Sequence, residues 1–413
     1  MTISPTRLQQ HFEAMSLIGK LGETGTCRPT LTKTEMQAFK LASSWMHQAD
    51  MTTRIDNFGN LIGRLEGTNP ELPVLMVGSH LDSQPYGGRF DGVAGVLCAI
   101  EAVKTLTQQG IKPQRTIEVV SFADEEGWRF NKGLFGSRGI LGKLEEGELD
   151  RTDKNGITRR QALIDFGCNP RKFRESQYAP GSIHCFLELH IEQGPVLDLA
   201  NKPIGVVSGI SGPLWWTIKL KGMAGHAGSV PMHMRKDSLV GAAEIIVALH
   251  EIAAQVIYAP TVGTVGTIDV FPASRNIIPE EVEFTVDLRD IDLERRNRYE
   301  AQLRGMIEVI CAKHHLTYQI TEDWNSEPRY CANWLKQIIH QQCINLHLNA
   351  PELMSGPFHD AMALSYATDY AMIFVRCKDG ISHNPLEFAS YEDLALGAEV
   401  LYGTMLEVLK QEV

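Results

Sequence analysis

The chain has 413 residues, 43% hydrophobic and 22% charged, which excludes a low-complexity or disordered polymer and leaves apolar material for more than one core. With 50 acidic and 39 basic residues the formal net charge is −11, a balance that argues against a nucleic-acid or anionic-membrane partner. No stretch approaches the ~20 apolar residues that cross a bilayer. The first residues lack the apolar core of a signal peptide, and the eight scattered cysteines form no C-x-x-C pair. A reduced, cytoplasmic protein is expected.

In chain order, residues 34–48 place Met36, Phe39, Leu41, Ala42 and Trp45 near one face of a predicted helix. Pro73–Gly78 is a short apolar run that reads as a buried strand, and Asp91 opens a helix through Gln109. Thr116–Phe122 reads as another buried strand. Strands alternating with helices predict an α/β domain covered on both faces. Near Gly212 the pattern changes: strand Leu214–Leu220, helix Ser238–Ala254, strands Val262–Val270 and Val282–Leu288 around the turn-rich segment Phe271–Glu281, helix Arg295–His314, and strand Leu316–Ile320. That order is the β-α-β-β-α-β of a ferredoxin-like α+β domain. Helix Ala332–His347, strand Ala371–Val375 and helix Tyr391–Lys410 then resume the first pattern. Residues 212–325 are therefore expected to be inserted into an α/β domain made of 1–211 and 326–413.

Four segments put chemically active side chains beside predicted strands. In Gly78-Ser79-His80-Leu81-Asp82, His80 leaves a strand where open α/β sheets place ligands, and Asp82 is spaced to orient its imidazole. Asp91 sits before a helix, as a ligand or as an ordinary N-cap. Asp124-Glu125-Glu126 follows a buried strand, either as a solvated loop or with Glu126 on a cation and Glu125 moving protons. Leu187–Glu192 alternates strictly, so Glu188, His190 and Glu192 share a strand face, which a half-exposed strand also explains. His383 follows the strand Ala371–Val375 in a loop. Together His80, Asp91, Glu126, His190 and His383 offer three imidazoles and two carboxylates, a donor set suited to a pair of first-row divalent ions sharing Asp91.

The segments GSHLDSQPYGGRFDGVAGV, DEEGWRF, LELHIEQGPVL, GMAGHAGSVPMHMRKDSL, RNIIPEEVEFTVDLRD and GISHNPLE resemble, in order, those of the peptidase M20-like amidohydrolases. The chain is most similar to their branch of N-carbamoyl-L-amino-acid hydrolases, allantoate amidohydrolases and ureidopropionases. The resemblance implies a catalytic α/β domain with a central mixed sheet flanked by helices, interrupted by a lid domain that also forms a homodimer. It implies two divalent ions per subunit on His80, Asp91, Glu126, His190 and His383: zinc or manganese, with cobalt or nickel as alternatives. It makes Glu125 the general base and Asp82 the carboxylate behind His80. His226 is the lid histidine that reaches the substrate, usually in the partner subunit's site, and Gln193, Asn276 and Arg289 hold its ureido and carboxylate groups. Read without the resemblance, Arg289 could pair with Asp287 or Asp290, and Asn276 could cap a turn before Pro279.

The implied reaction is hydrolysis of an N-carbamoyl-L-amino acid to the amino acid, carbon dioxide and ammonia. Allantoate or another ureido acid is the nearest alternative, then an aminoacylase or dipeptidase, then a non-catalytic metal-stabilised binding protein. Trp215 and Trp216 are candidates for the side-chain pocket or for core. In Ser355-Gly356-Pro357-Phe358-His359-Asp360, Pro357 and Phe358 add bulk where the family has small residues.

Overall fold

The structure is a computed structural model and describes residues 2–411. Its principal elements are α1 (Pro5–Ser16), α2 (Lys33–Gln48), β1 (Thr52–Ile55), β2 (Leu61–Leu65), β3 (Val74–His80), α3 (Val93–Gln108), β4 (Ile117–Phe122), β5 (Ile183–Ile191), β6 (Ile204–Ile210), β7 (Gly212–Lys221), α4 (Ser238–Ala253), β8 (Val262–Thr264), β9 (Ile268–Phe271), β10 (Glu281–Asp290), α5 (Leu293–Lys313), β11 (Thr317–Asn325), α6 (Asn333–Asn345), β12 (Asp369–Val375) and α7 (Tyr391–Leu409). The contacts divide the chain into two units. One runs up to Ser208 and resumes at Cys331; the other is Gly209–Tyr330.

The first unit is built on a mixed sheet with the strand order β6-β12-β5-β3-β4-β2-β1. Its four central strands run parallel, β12 with β5, β5 with β3, and β3 with β4. Antiparallel β6 flanks them on one side, with the short strands Arg329–Tyr330 and Glu352–Ser355 paired to it, and the β2-β1 ribbon lies on the other. Every residue of β3 and of β4 is buried, which is why both read as unbroken apolar runs rather than alternations. Helix α3 lies close over β3 and β5. A Cβ added at Gly95 would stand 2.4 Å from the Leu189 carbonyl and 2.6 Å from Ser79 Cβ.

The chain leaves β3 toward β4 on one side and later fills the other side with β5. The carboxyl ends of β3 and β5 therefore flank a crevice at a reversal of strand order, where open α/β sheets bind ligands. Helix α2 buries Glu35, Ala38, Phe39, Ala42, Trp45 and Met46. Met36 and Leu41, expected on that face, are half-buried instead.

In the second unit, antiparallel strands in the order β8-β10-β7-β11 form a sheet, with β9 also on β10. Helices α4 and α5 cover one face over a core of Leu214, Trp216, Ile218, Leu220, Val282, Phe284, Val286 and Leu288. The expected single strand Val262–Val270 is broken into β8 and β9, both laid along β10. Alternation along β7 separates the paired tryptophans: Trp216 is fully buried, while Trp215 lies on the opposite, half-exposed face. Among the described residues no helix is long and apolar enough to cross a membrane, and all eight cysteines are free.

Candidate metal centre

Five side chains from four chain segments meet at the carboxyl end of the sheet. His80 is the last residue of β3, which runs two residues beyond the expected end at Gly78, and His190 is the penultimate residue of β5. Their rings lie nearly parallel with centroids 6.0 Å apart. Asp91 stands between them, its Oδ1 3.4 Å from His80 Nε2 and 3.3 Å from His190 Nε2. The other oxygen, Oδ2, is 3.3 Å from His383 Nε2, which in turn is 3.5 Å from Glu126 Oε2. Two groups result, His80–Asp91–His190 and Asp91–Glu126–His383, each with ligand atoms within 4.8 Å of one another.

Gly92, not Asp91, occupies the N-cap position of α3, and no side chain caps the helix; the Asp91 carboxylate is turned to the histidines instead. Gly92, at φ 64°, leaves the necessary space: a Cβ there would lie 2.4–2.5 Å from the His80 ring.

The donor chemistry suits divalent cations. His80 Nδ1 is 3.0 Å from the Asp82 carbonyl and His190 Nδ1 2.9 Å from the Ile191 carbonyl. A carbonyl only accepts, so both Nδ1 atoms donate and a neutral ring turns its Nε2 lone pair inward, as a ligand must. Each group offers three nitrogen or oxygen donors close enough together to hold one ion.

Charges in the cluster bias one another. Burial would raise the Asp91 carboxyl, but the imidazoles of His190, His383 and His80 beside it hold it well below its ordinary range. Asp91 lifts His383 to about 9 against the effect of burial. Burial opposes a charged His80, yet Glu125, Asp91 and Asp82 raise it well above the usual imidazole value.

Glu125 Oε2 is 3.6 Å from His80 Nε2. Burial pushes its carboxyl well above the ordinary value; His80 opposes this, while Asp360, Glu126 and Asp82 add to it. Asp82 lies behind His80, with Oδ1 3.6 Å from Nδ1, farther than its own carbonyl. Its two carboxylate oxygens face the backbone amides of Glu125 and Glu126 at 3.4 and 3.3 Å. The third acid of the run, Asp124, is absorbed by a buried ion pair, its Oδ2 2.8 Å from Arg159 Nη2. The loop is therefore not a solvated acidic turn. Gln84 fixes Glu126 with its amide at 3.0 Å and its side chain at 2.7 Å.

Gln193 is in the same cluster and donates to Asp91 Oδ2 at 2.7 Å. Glu188, His190 and Glu192 are all buried, so the half-exposed strand does not apply. Glu188 accepts from Ser79 Oγ at 2.7 Å and from the Ala361 amide at 3.0 Å, and Glu192 accepts the Val196 and Leu197 amides. Asp124, Gln193 and His383 have φ of 56°, 56° and 52°, a left-handed backbone in three non-glycine residues of one site.

His226, Asn276 and Arg289 belong to the second unit. His226 is exposed, and its Nδ1 accepts the Gly228 amide at 3.1 Å, so the ring proton of the neutral form sits on Nε2. The Asn276 carbonyl accepts the Ala227 amide at 2.9 Å, which keeps the two residues adjacent. Arg289 holds Asp287 through Nε and Nη2, both at 2.8 Å, and its guanidinium lies 5.8 Å from the Trp215 ring centre. Asp290 pairs with Arg295 instead.

The sequence reading did not single out Ser79, Gln84, Arg159, Ser382 or Glu387. Ser79, Gln84, Ser382 and Glu387 lie inside quoted motifs, where proximity to a candidate ligand was an available signal. Arg159 has no such signal, being 35 residues from its partner. His359, in the loop whose bulk drew attention, is buried with its ring 4.5 Å from that of His190; Pro357 and Phe358 are half-buried.

Two overlapping His/carboxylate clusters about one aspartate, on the carboxyl ends of a mixed α/β sheet, make a candidate metal centre. The pattern of peptidase family M20/M25/M40 matches residues 76–407, and the chain belongs to that family, as a hydrolase acting on C–N bonds. It is 47% identical over 409 residues to an N-carbamoyl-L-amino-acid amidohydrolase of Pseudomonas sp. (strain NS671), spanning 98% of this chain and 99% of that one. An allantoate deiminase of Arabidopsis thaliana is 35% identical over 94% of this chain and 81% of its own. A solved amidase of the hydantoinase/carbamoylase family from Burkholderia multivorans superposes with a TM-score of 0.92 at 34% identity, over 100% of this chain and 99% of that one.

Proposed function

We propose that the chain hydrolyses N-carbamoyl-L-amino acids, consuming one water to give the amino acid, carbon dioxide and ammonia. The observation that carries this reading is Glu125 set 3.6 Å from His80 at the edge of the doubled cluster, in a chain 47% identical to an enzyme named for that substrate class. His80, Asp91 and His190 would hold one divalent ion and Asp91, Glu126 and His383 a second. Zinc or manganese suits these donors, with cobalt or nickel as alternatives. The chemistry such a pair supplies is Lewis acidity, polarising a carbonyl and acidifying water.

The residues of the chain do the rest. Glu125, whose carboxyl is raised by burial, takes a proton from the attacking water and returns it to the leaving nitrogen. Asp82 holds the Glu125–Glu126 backbone in place. His226, with its proton on Nε2, is assigned to the developing oxyanion. Gln193, Asn276 and Arg289 are assigned to the ureido and carboxylate groups, where the planar guanidinium can grip a carboxylate with two parallel bonds. Residues 212–325 are assigned as a lid through which a homodimer forms, in a cytoplasmic enzyme. Allantoate is the second reading, favoured by the Arabidopsis relative.

Chelated protein reloaded with Mn²⁺ or Zn²⁺ should release ammonia from N-carbamoyl-L-amino acids. Allantoate, 3-ureidopropionate and N-acetyl amino acids complete the panel. Glu125→Gln should lower kcat by about 10²–10⁴-fold with metal content unchanged. Full turnover in that variant, or activity confined to allantoate, would overturn the mechanism or the substrate respectively.

A further inference from the structure

Glu387 touches none of the substrate-side groups assigned above, yet it is 1% exposed and makes three hydrogen bonds at the centre of the site. Its Oε1 accepts two successive backbone amides, Phe90 at 2.8 Å and Asp91 at 3.0 Å. Its Oε2 is 2.8 Å from Ser382 Oγ. That hydroxyl is also 3.1 Å from Asp91 Oδ2, the oxygen that faces His383. A buried carboxyl group thus spans two loops separated by almost 300 residues of sequence, one delivering Asp91 and the other His383.

Both loops are shaped to receive it. Gly88 opens the path, since a Cβ there would stand 2.2 Å from the Glu387 carboxyl. On the other side, Asn384 turns the chain, its carbonyl taking the Glu387 amide and its Oδ1 the Leu386 amide, both at 2.9 Å. His383 itself has φ 52°, a backbone that needs support from its surroundings. An unpartnered polar group buried this deeply would be costly, whereas here each carboxyl oxygen is used on a ligand-bearing segment.

We propose that Glu387 is a positioning residue that ties the Asp91 loop to the His383 loop and thereby sets the Asp91–Glu126–His383 cation position. The inference rests on the reading of those three residues as ligands. Groups that orient metal ligands typically contribute 10–100-fold in affinity.

The test is titration of the chelated full-length protein with Zn²⁺, with bound ions counted by native mass spectrometry. Two ions per chain are expected for the wild type. Glu387→Ala should bind one ion as before and the other about 10–100-fold more weakly. Glu387→Gln, which can still accept both amides and donate to Ser382, should recover most of the loss. The ion weakened should be the one lost in His383→Ala, so the double variant should lose no more than His383→Ala alone.

Unchanged affinity for both ions would overturn the proposal, even if the melting temperature in excess chelator fell. Equal weakening of both ions would place Glu387 on Asp91 alone and overturn the tie between loops. Should Glu387→Ala not fold, Ser382→Ala keeps the two amides paired and cuts only the bridge; an unchanged second affinity there would overturn the proposal equally. A wild type that binds fewer than two ions would instead sink the ligand reading on which it rests.

Discussion

Asp91 can be shared between two clusters because the residue after it has no side chain. Gly92 faces the His80 ring across a gap too small for a methyl group, and its φ of 64° is one that an L side chain adopts only under strain. Gly92→Ala is therefore expected to displace His80, abolish binding at the His80–Asp91–His190 position and lower turnover by at least about 100-fold. Metal counting on the purified variant checks this, and wild-type stoichiometry would refute it. At this scale the candidate ligands were legible in the sequence only as a set, because Asp91 alone also reads as an N-cap, Glu126 as part of a solvated loop and His190 as part of a half-exposed strand. Their supports were less so. Glu387 stands in the same motif as His383, which marks its place, but the amides it accepts are 296 and 297 residues away and no local pattern names them. Arg289 illustrates the reverse: its partner Asp287 is two residues off, and the sequence reading had already allowed for that pair.

The loop after β4 draws its rigidity from an ion pair with almost no exposure, Arg159 at 0% and Asp124 at 1%. Arg159 also packs over the rings of Phe130 and Phe135 and reaches Glu148 at 3.1 Å. Removing one member of a buried pair leaves the other charge without compensation. Arg159→Met should cost about 3–5 kcal/mol of stability. Adding Asp124→Asn should recover part of that loss in denaturant unfolding, and a single-variant cost below 1 kcal/mol would contradict the account.

Helices α1 and α2 give a second test. His11 stacks on Trp45 with centroids 4.0 Å apart and planes 18° from parallel. Burial, aided by Arg7, lowers the His11 pKa to about 4. A depressed imidazole is neutral in the fold and takes up a proton on unfolding. Its contribution is complete above the unfolded value of about 6.5 and is lost as pH falls toward 4. With chelator present, His11→Phe should lose less stability than the wild type between pH 7 and 5; parallel losses would exclude His11 as the cause. Among the elements, the central strands and long helices followed from composition and period. The single strand expected over Val262–Val270 is interrupted at residues 265–267, around Gly266, between β8 and β9. The short strands β1 and β2 gave no run long enough to be distinguished from loop, and in β6 Gly205, Ser208 and Gly209 interrupt the apolar pattern.

For the whole molecule, the parallel strands bring together residues that the chain keeps far apart, and the cluster needs all of them. Every proposed ligand comes from the first unit, whereas His226, Asn276 and Arg289 come from the second. The alternation of strands and helices was enough to anticipate both architectures, because burial on two faces and burial on one leave different periods. The backbone around the cluster carries a cost. Asp124, Gln193 and His383 each occupy left-handed conformations that disfavour L side chains by about 1 kcal/mol. A directed-evolution campaign rewarding heat resistance alone, with no demand for catalysis, should thus enrich glycine at 193 and 383. Enrichment at 124 should be weaker, since losing the Arg159 partner outweighs the relief. Where such a campaign gains robustness it would erase the enzyme, and its winners would trace the outline of the active site in negative.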